Sequence, residues 1–333
     1  MNDDLKPLIS ILVFSYNHEL YIEQAIKSVV SQKTSFNFEV LVSDDFSTDN
    51  SLNIICELQR ENSEIIKVIA NKKNLGLNVT FKNAVKKAKG EYIAILGGDD
   101  YWLVDNKLEI QVQLLLSNKK VAYVHTEFKT LTEENGKITN QVNKNWRSIL
   151  TGKKGKEALI ATLLNSWSGY PLSSSSCFRK APLLKGIKNH PDILNFDLPG
   201  EGTIIHASMS YYGGLYAFIP IETTMYRVRK KSLSYFENKY DTFNFQKKYY
   251  LVKVLTAISF SLDIKEIEKI RDWGLKLLLI KAYDIGTINE FKEFLQSYKK
   301  GGSLIKIIYL FKISFFRKIY KFLIKLKQLY DIR

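Results

Sequence analysis

Residues 90–102 (GEYIAILGGDDYW) constrain this chain more than any other stretch. Tyr92 to Leu96 are continuously apolar, the pattern of a strand buried on both faces in a parallel sheet. Gly97 and Gly98 let the backbone turn tightly, and the carboxylates of Asp99 and Asp100 arrive where the strand stops. Ligands of open α/β sheets sit beyond the carboxyl ends of the strands. Adjacent carboxylates repel one another there unless a cation lies beside them, and hard oxygen ligands suit Mg²⁺ or Mn²⁺ carrying a diphosphate. The competing reading is an acidic turn, or a helix N-cap at Asp100 before Trp102.

The preceding residues repeat the theme. Residues 8–14 (LISILVF), 38–42 (FEVLV) and 65–70 predict buried strands. Between them Leu20, Ile22, Ala25, Ile26, Val29 and Val30 recur at helical spacing, Ser47-Thr48-Asp49 caps a helix over 51–62, and residues 79–89 form a third helix. The order β-α-β-α-β-α-β predicts a parallel sheet with right-handed crossovers. Three strands end in polar clusters, Ser15-Tyr16-Asn17, Asp44-Asp45 and Asp99-Asp100, and parallel strands would set all three on one rim. An aromatic ring can stack on a base there, and a carboxylate can accept from a base or ribose. Neither G-x-G-x-x-G nor G-x-x-x-x-G-K-[ST] occurs, so a cation and basic side chains, not a glycine-rich cradle, must neutralise phosphate. The common dehydrogenase and P-loop readings are excluded on that ground.

Further along, a helix is expected over 105–118 and a strand over 121–126, followed by a polar excursion over 132–156 that suits a substrate-specific loop. In residues 196–206 (FDLPGEGTIIH), Pro199, Gly200 and Gly202 force a turn around Glu201 before a helical run. Read locally, a carboxylate there caps the helix, where negative charge is favourable.

As an ordered set, residues 10–32 (SILVFSYNHELYIEQAIKSVVSQ), 38–51 (FEVLVSDDFSTDNS), Asn74-Leu75-Gly76 and 90–102 resemble the large family-two glycosyltransferases. The resemblance is close over residues 7–130 and looser to about residue 236. It implies the type-A fold, a Rossmann-like, mostly parallel sheet sandwiched by helices, here with a C-terminal helical extension. It also implies inverting transfer from a nucleotide-diphospho-sugar, with UDP-sugar as the expected donor, to a glycan or lipid-linked acceptor in surface-polysaccharide synthesis. By this resemblance Tyr16 would stack on the base and Asp45 would contact the uracil, with Ser15, Asn17 and Asp44 nearby. Asp99 would meet the ribose and, with Asp100, the metal. Lys82-Asn83 stands where the family has Arg-Asn, keeping the charge without the planar fork. Phe46 stands where Gly is frequent.

Residues 173–179 (SSSSCFR) resemble the family's strand bordering the acceptor pocket, and Glu201 stands where relatives carry the carboxylate of the catalytic base, with Asp197 as its rival. Residues 226–234 (YRVRKKSLS) resemble the closing Tyr-Arg-x-His segment, with Arg229 at the His position. Arginine cannot ligate a cation, so the third metal ligand is left open. Arg227 and Arg229 could instead clamp phosphate oxygens, or form a solvated basic loop. A nucleotidyltransferase is disfavoured because G-G-x-G-T-R is missing. A non-catalytic nucleotide-sugar binder or membrane scaffold remains a rival through the Glu201 and Arg229 departures.

These signals divide the chain into residues 1–240, a glycosyltransferase domain with a nucleotide-sugar half (1–125) and an acceptor half (126–240), and residues 241–333, a basic helical region. Residues 241–333 hold 19 Lys and Arg against 9 Asp and Glu, so most of the chain's net +15 is in the tail. Within an amphipathic helix over 303–333, Lys306, Arg317, Lys318, Lys321 and Lys325 would share one side, suited to an anionic bilayer surface or, in a helix packed on the core, to solvent. Nucleic-acid binding is not expected, since no recognised module accompanies the charge. Cys56 and Cys177 have no ligand spacing and read as free thiols. His18, His125, His190 and His206 likewise read as structural. Without an export-signal pattern before Pro7 or a long uncharged apolar run, the expected location is the cytoplasm, with peripheral contact on the inner membrane face.

Overall fold

A computed structural model describes residues 6–134, 137–142, 152–164, 171–194, 200–229 and 238–299. The first apolar runs become β1 (Ile9–Ser15), β2 (Phe38–Asp44), β3 (Ile66–Ala70) and β4 (Tyr92–Gly97). Between them lie α1 (Ile22–Val30), α2 (Ser51–Glu61) and α3 (Leu77–Lys87). β1 pairs in parallel with both β2 and β4, and β2 with β3. The side-chain period of a strand is two, so alternate residues serve opposite faces. Ile11, Val13, Val40, Val42, Ala94 and Leu96 pack with Ile22, Ala25 and Ile26 of α1 and Ile55 of α2. Leu12, Leu41, Ile93 and Ile95 pack on the other face with Phe81, Ala84 and Val85 of α3. Both faces are covered, which is why these strands are continuously apolar.

Past the carboxylate pair come β5 (Tyr101–Trp102), α4 (Lys107–Ser117), β6 (Val121–Glu134), β7 (Lys137–Val142) and α5 (Gly155–Leu164). They are followed by β8 (Ser176–Arg179), α6 (Lys180–Asn189), α7 (Glu201–Ser208), β9 (Leu215–Val228) and α8 (Lys239–Ser259). One nine-stranded sheet runs β3-β2-β1-β4-β8-β6-β9-β5, with β7 on β6. β8 lies antiparallel between β4 and β6, whereas β6 and β9 are parallel to each other. Six strands therefore point one way, and β5, β7 and β8 run against them.

Two differences from the sequence reading have physical causes. The start of the excursion after residue 131 is strand: β6 continues to Glu134 because it pairs with β9, and turns back as β7. Within 173–179 only Ser176–Arg179 is strand, Ser173–Ser175 forming one 3-10 turn.

The chain divides into two compact units, Met1–Arg271 and Asp272–Arg333. The second begins inside α9 (Ile264–Asp284) and includes α10 (Ile288–Lys299). It buries Leu275, Leu278, Ala282, Phe291 and Leu295 at helical spacing. The expected helix over 303–333 lies outside the described residues. Among the described residues no helix is long and apolar enough to cross a membrane. Cys56 and Cys177 are both free thiols.

Candidate active site

Register places the polar clusters side by side: Ser15 is opposite Asp44, and Phe14 opposite Gly97. Tyr16, at the end of β1, is 45% exposed, so its ring is open to a stacking partner. The Ser15 hydroxyl is buried with no hydrogen-bond partner among the described residues. Asn17, in the left-handed region at φ 54°, accepts from the Thr48 amide at 2.8 Å and donates its own amide to Ser47 Oγ at 3.0 Å. It stitches the β1 and β2 ends together.

Asp44 and Asp45 are both buried but do different work. Asp44 accepts from the Ser47 amide at 2.9 Å and the Ser47 hydroxyl at 2.5 Å, closing a turn over Phe46. Phe46 has φ 66°, a left-handed conformation, which explains why glycine suits that position. Asp45 reaches the other way. It accepts the amides of Leu75 at 2.9 Å and Gly76 at 2.8 Å, and Asn71 Nδ2 at 2.8 Å. Gly76, at φ 78°, then opens α3. Lys82 and Asn83 are half-buried on that helix, Lys82 one turn beyond Asn78.

Asp99 and Asp100 are likewise unequal. Arg229 donates from Nε to Asp99 Oδ2 at 2.8 Å, and Arg227 donates to the Asp99 carbonyl at 2.6 Å. Asp100 is buried, accepting the Ser174 hydroxyl at 2.6 Å and the Arg227 amide at 3.0 Å. Burial, and then the charge of Asp99, push the Asp100 carboxyl far above the usual carboxylate range. A neighbouring hard cation would return it to the ionised form. Among the described residues no group of three His, Cys, Asp or Glu side chains converges as a metal site. Mg²⁺ commonly takes one or two carboxylates and completes its shell from waters and phosphates, so a site built on Asp100 with Asp99 beside it fits such an ion.

Gly98 is required by close approach: a Cβ there would stand 2.6 Å from His18 Nδ1 and 2.7 Å from the Phe14 carbonyl. Arg227 is sandwiched, 5.0 Å from the Tyr21 ring centroid and 4.8 Å from that of Tyr101, and also donates to Gln24. Arg229 donates from Nη2 to His18 Nε2 at 2.6 Å. Burial holds His18 below its ordinary pKa against the pull of Asp99. Both guanidinium groups are thus engaged by the protein's own acceptors.

Glu201 opens α7. Its residue is half-buried, but Oε2 is sealed from solvent without a hydrogen-bond partner among the described residues. Burial pushes its pKa up to about 7, partly opposed by the amides of Glu201 and Gly202. A carboxylate poised there suits proton abstraction near neutral pH. Asp197 lies outside the described residues.

The structure therefore gathers Ser15, Tyr16, Asn17, Asp44, Asp45, Asp99, Asp100, Arg227 and Arg229 along one end of the sheet. Sequence reasoning missed four supports: His18 on Arg229, Ser174 on Asp100, Asn71 on Asp45, and Tyr21 with Tyr101 about Arg227. Ser174 was visible only as one serine in a run of four.

Comparisons with known proteins agree with this architecture. The sequence model of glycosyl transferase family 2 matches residues 10–172. An uncharacterised glycosyltransferase of Nostoc sp. is 30% identical over 203 residues, 60% of this chain and 59% of that protein. WfgD of Escherichia coli, a UDP-Glc:alpha-D-GlcNAc-diphosphoundecaprenol beta-1,3-glucosyltransferase, is 40% identical over 111 residues, 33% of this chain and 42% of that protein. The chain spans about half the length of the curated relatives it matches. Among solved structures, Staphylococcus aureus TarS 1–349 with UDP-GlcNAc superposes at TM-score 0.57 and 20% identity, covering 83% of this chain and 72% of that one. A Pyrobaculum calidifontis mannosyltransferase with GDP-Man and Mn²⁺ gives TM-score 0.52 at 16% identity, covering 92% and 79%. At these identities the likeness is one of fold. Residues 10–172, with the strand-end carboxylates they carry, are thus the part of this chain that matches glycosyl transferase family 2.

Proposed function

We propose that the chain is an inverting glycosyltransferase that moves a sugar from a nucleotide-diphospho-sugar, most simply a UDP-sugar, to an acceptor hydroxyl on a glycan or lipid-linked intermediate of surface-polysaccharide synthesis. The observation that carries this is the alignment of Tyr16, Asp45 and Asp100 along one end of the sheet, each on a separate strand tip. In this reading Tyr16 stacks on the base and Asp45 accepts from the uracil edge. Asp99, its charge balanced by Arg229, faces the ribose. Mg²⁺ or Mn²⁺, held by Asp100 with Asp99 beside it, would supply positive charge to the leaving diphosphate.

Glu201 is the base. Its carboxylate takes the acceptor hydroxyl proton as the oxygen attacks the anomeric carbon, the carbon–oxygen bond to the diphosphate breaks, and the configuration inverts. Asp197 is the alternative base. Arg227 and Arg229 hold the rim closed and leave little guanidinium surface for phosphate. Residues 1–240 form the transferase domain in this proposal, and 241–333 a basic helical region that contacts the inner membrane surface, where a diphosphoundecaprenol acceptor such as that named for WfgD would reside.

The test is UDP release by purified protein from a panel of UDP-sugars with Mn²⁺, with and without a lipid-linked acceptor extract. Acceptor-stimulated release with inverted anomeric configuration is expected, and its loss in Asp100→Ala. Retained configuration, or undiminished transfer in that variant, would overturn the reading.

A further inference from the structure

We infer that Asn78, in the first turn of α3, is the positioning residue that holds Glu201 in its place and ties it to the nucleotide side of the rim; this rests on Glu201 being the base. Asn78 is buried, 6% exposed, and its Oδ1 accepts the amide of Gly200 at 2.7 Å. Gly200 is the residue immediately before α7, and its carbonyl takes the first helical hydrogen bond, from Ile204 at 3.0 Å. The fit around it is tight: a Cβ at Gly200 would stand 2.8 Å from the Ile193 carbonyl. The helix start, and with it the Glu201 carboxylate, is therefore fixed against α3.

The same turn of α3 is held from the other side. Asp45 accepts the amides of Leu75 and Gly76, and Asn71 Nδ2 bridges Asp45 Oδ1 at 2.8 Å and Thr80 Oγ1 at 2.9 Å. One short strut thus runs from the Asp45 carboxylate through Gly76 and Asn78 to Gly200 and Glu201. Beside it, the Cβ direction of Gly202 meets no atom of the described residues within 4 Å. No charged side chain among the described residues contributes to the Glu201 shift, only burial and the two helix amides. Its protonation therefore reports its placement.

The test needs no donor or acceptor. Thermal unfolding of the full chain is followed from pH 5 to 8 for the parent, Glu201→Gln, Asn78→Ala and the double variant, alongside calorimetric titration with UDP. The parent is expected to show a stability gap to Glu201→Gln that widens with pH. In the Asn78→Ala background that widening should fall to less than about half, because a released carboxylate regains its ordinary pKa. UDP affinity should change by less than about twofold, since Asp45 keeps its own amides and only the base moves. Asn78→Asp retains the acceptor for the Gly200 amide and should keep the parental gap; it decides the matter if the alanine variant does not fold. An undiminished gap in Asn78→Ala, a lost gap in Asn78→Asp, or UDP affinity falling in step with the gap overturns the assignment. If the parent itself shows no pH-dependent gap, the poised-base reading of Glu201 fails first, and the two failures are told apart.

Discussion

Replacing Glu201 with glutamine should remove turnover and, above neutral pH, make the protein more stable. Burial raises the folded-state pKa from 4.5 to about 7. A carboxyl whose pKa is raised by folding favours the protonated form. Its contribution is fully present below the unfolded pKa and is lost as pH rises through the folded one. At about 1.4 kcal/mol per pKa unit, the ionised carboxylate costs the fold about 3 kcal/mol at pH 8 and below about 1 kcal/mol at pH 5. Glutamine escapes that cost, in which the attraction of the Glu201 and Gly202 amides for the charge is already included. The variant should therefore gain about 3 kcal/mol at pH 8, a rise in Tm of roughly 5 °C, and little at pH 5. Thermal unfolding at several pH values measures this directly. A pH-independent gap, or one that narrows as pH rises, refutes the reasoning, because it would mean that Glu201 ionises in the fold as easily as in water. A substitution that stabilises while it inactivates marks strain kept for function.

Two further substitutions test the rim and its support. Gly98→Ala forces a Cβ within 2.6 Å of His18 Nδ1 and should destabilise by about 1–3 kcal/mol while weakening UDP binding, read by unfolding and calorimetry; a variant with parental stability would show that the rim can widen. Lys107, buried over the Trp102 ring at 4.3 Å and donating to Gln111, has its pKa lowered by burial from 10.5 to about 7. Its unfolded form binds the extra proton between those values, so parental stability should rise across that range and Lys107→Met should flatten the rise; an unchanged pH slope would show that the ammonium stays charged inside the fold.

The N-terminal sheet was legible because each of its strands is local. Residues 8–14, 38–42 and 92–96 are apolar on both faces, and their ends fall within a residue or two of β1, β2 and β4. The long β6 was not legible past Thr126, since what extends it is pairing with β9, about a hundred positions later in the chain. The same limit applies at the site. That carboxylates would gather at strand ends followed from strand direction alone. That Asp44 closes a turn while Asp45 braces α3 did not, because both are an Asp after an apolar run and only their partners differ. Ser174 and His18 contribute through contacts across 74 and 211 positions, which no local pattern encodes.

Arg229 is where sequence and structure together say more than either. Read along the chain, an arginine at a position suited to a metal-binding histidine looks like damage to a cation site. In space its guanidinium divides between Asp99 Oδ2 and His18 Nε2, both within 2.8 Å, and its side chain is only 12% exposed. A fixed cation on Asp99 relieves the repulsion that two neighbouring carboxylates would otherwise share. It leaves the unmet charge on Asp100 alone, whose burial and hydroxyl partner hold it rigidly at the end of β4. The pair thus becomes one neutralised and one unneutralised carboxylate, and in the proposed reaction a single divalent ion bound with a diphosphate would meet the second. In the proposed transferase, the departure at residue 229 would move part of the charge balance from the ion to the protein.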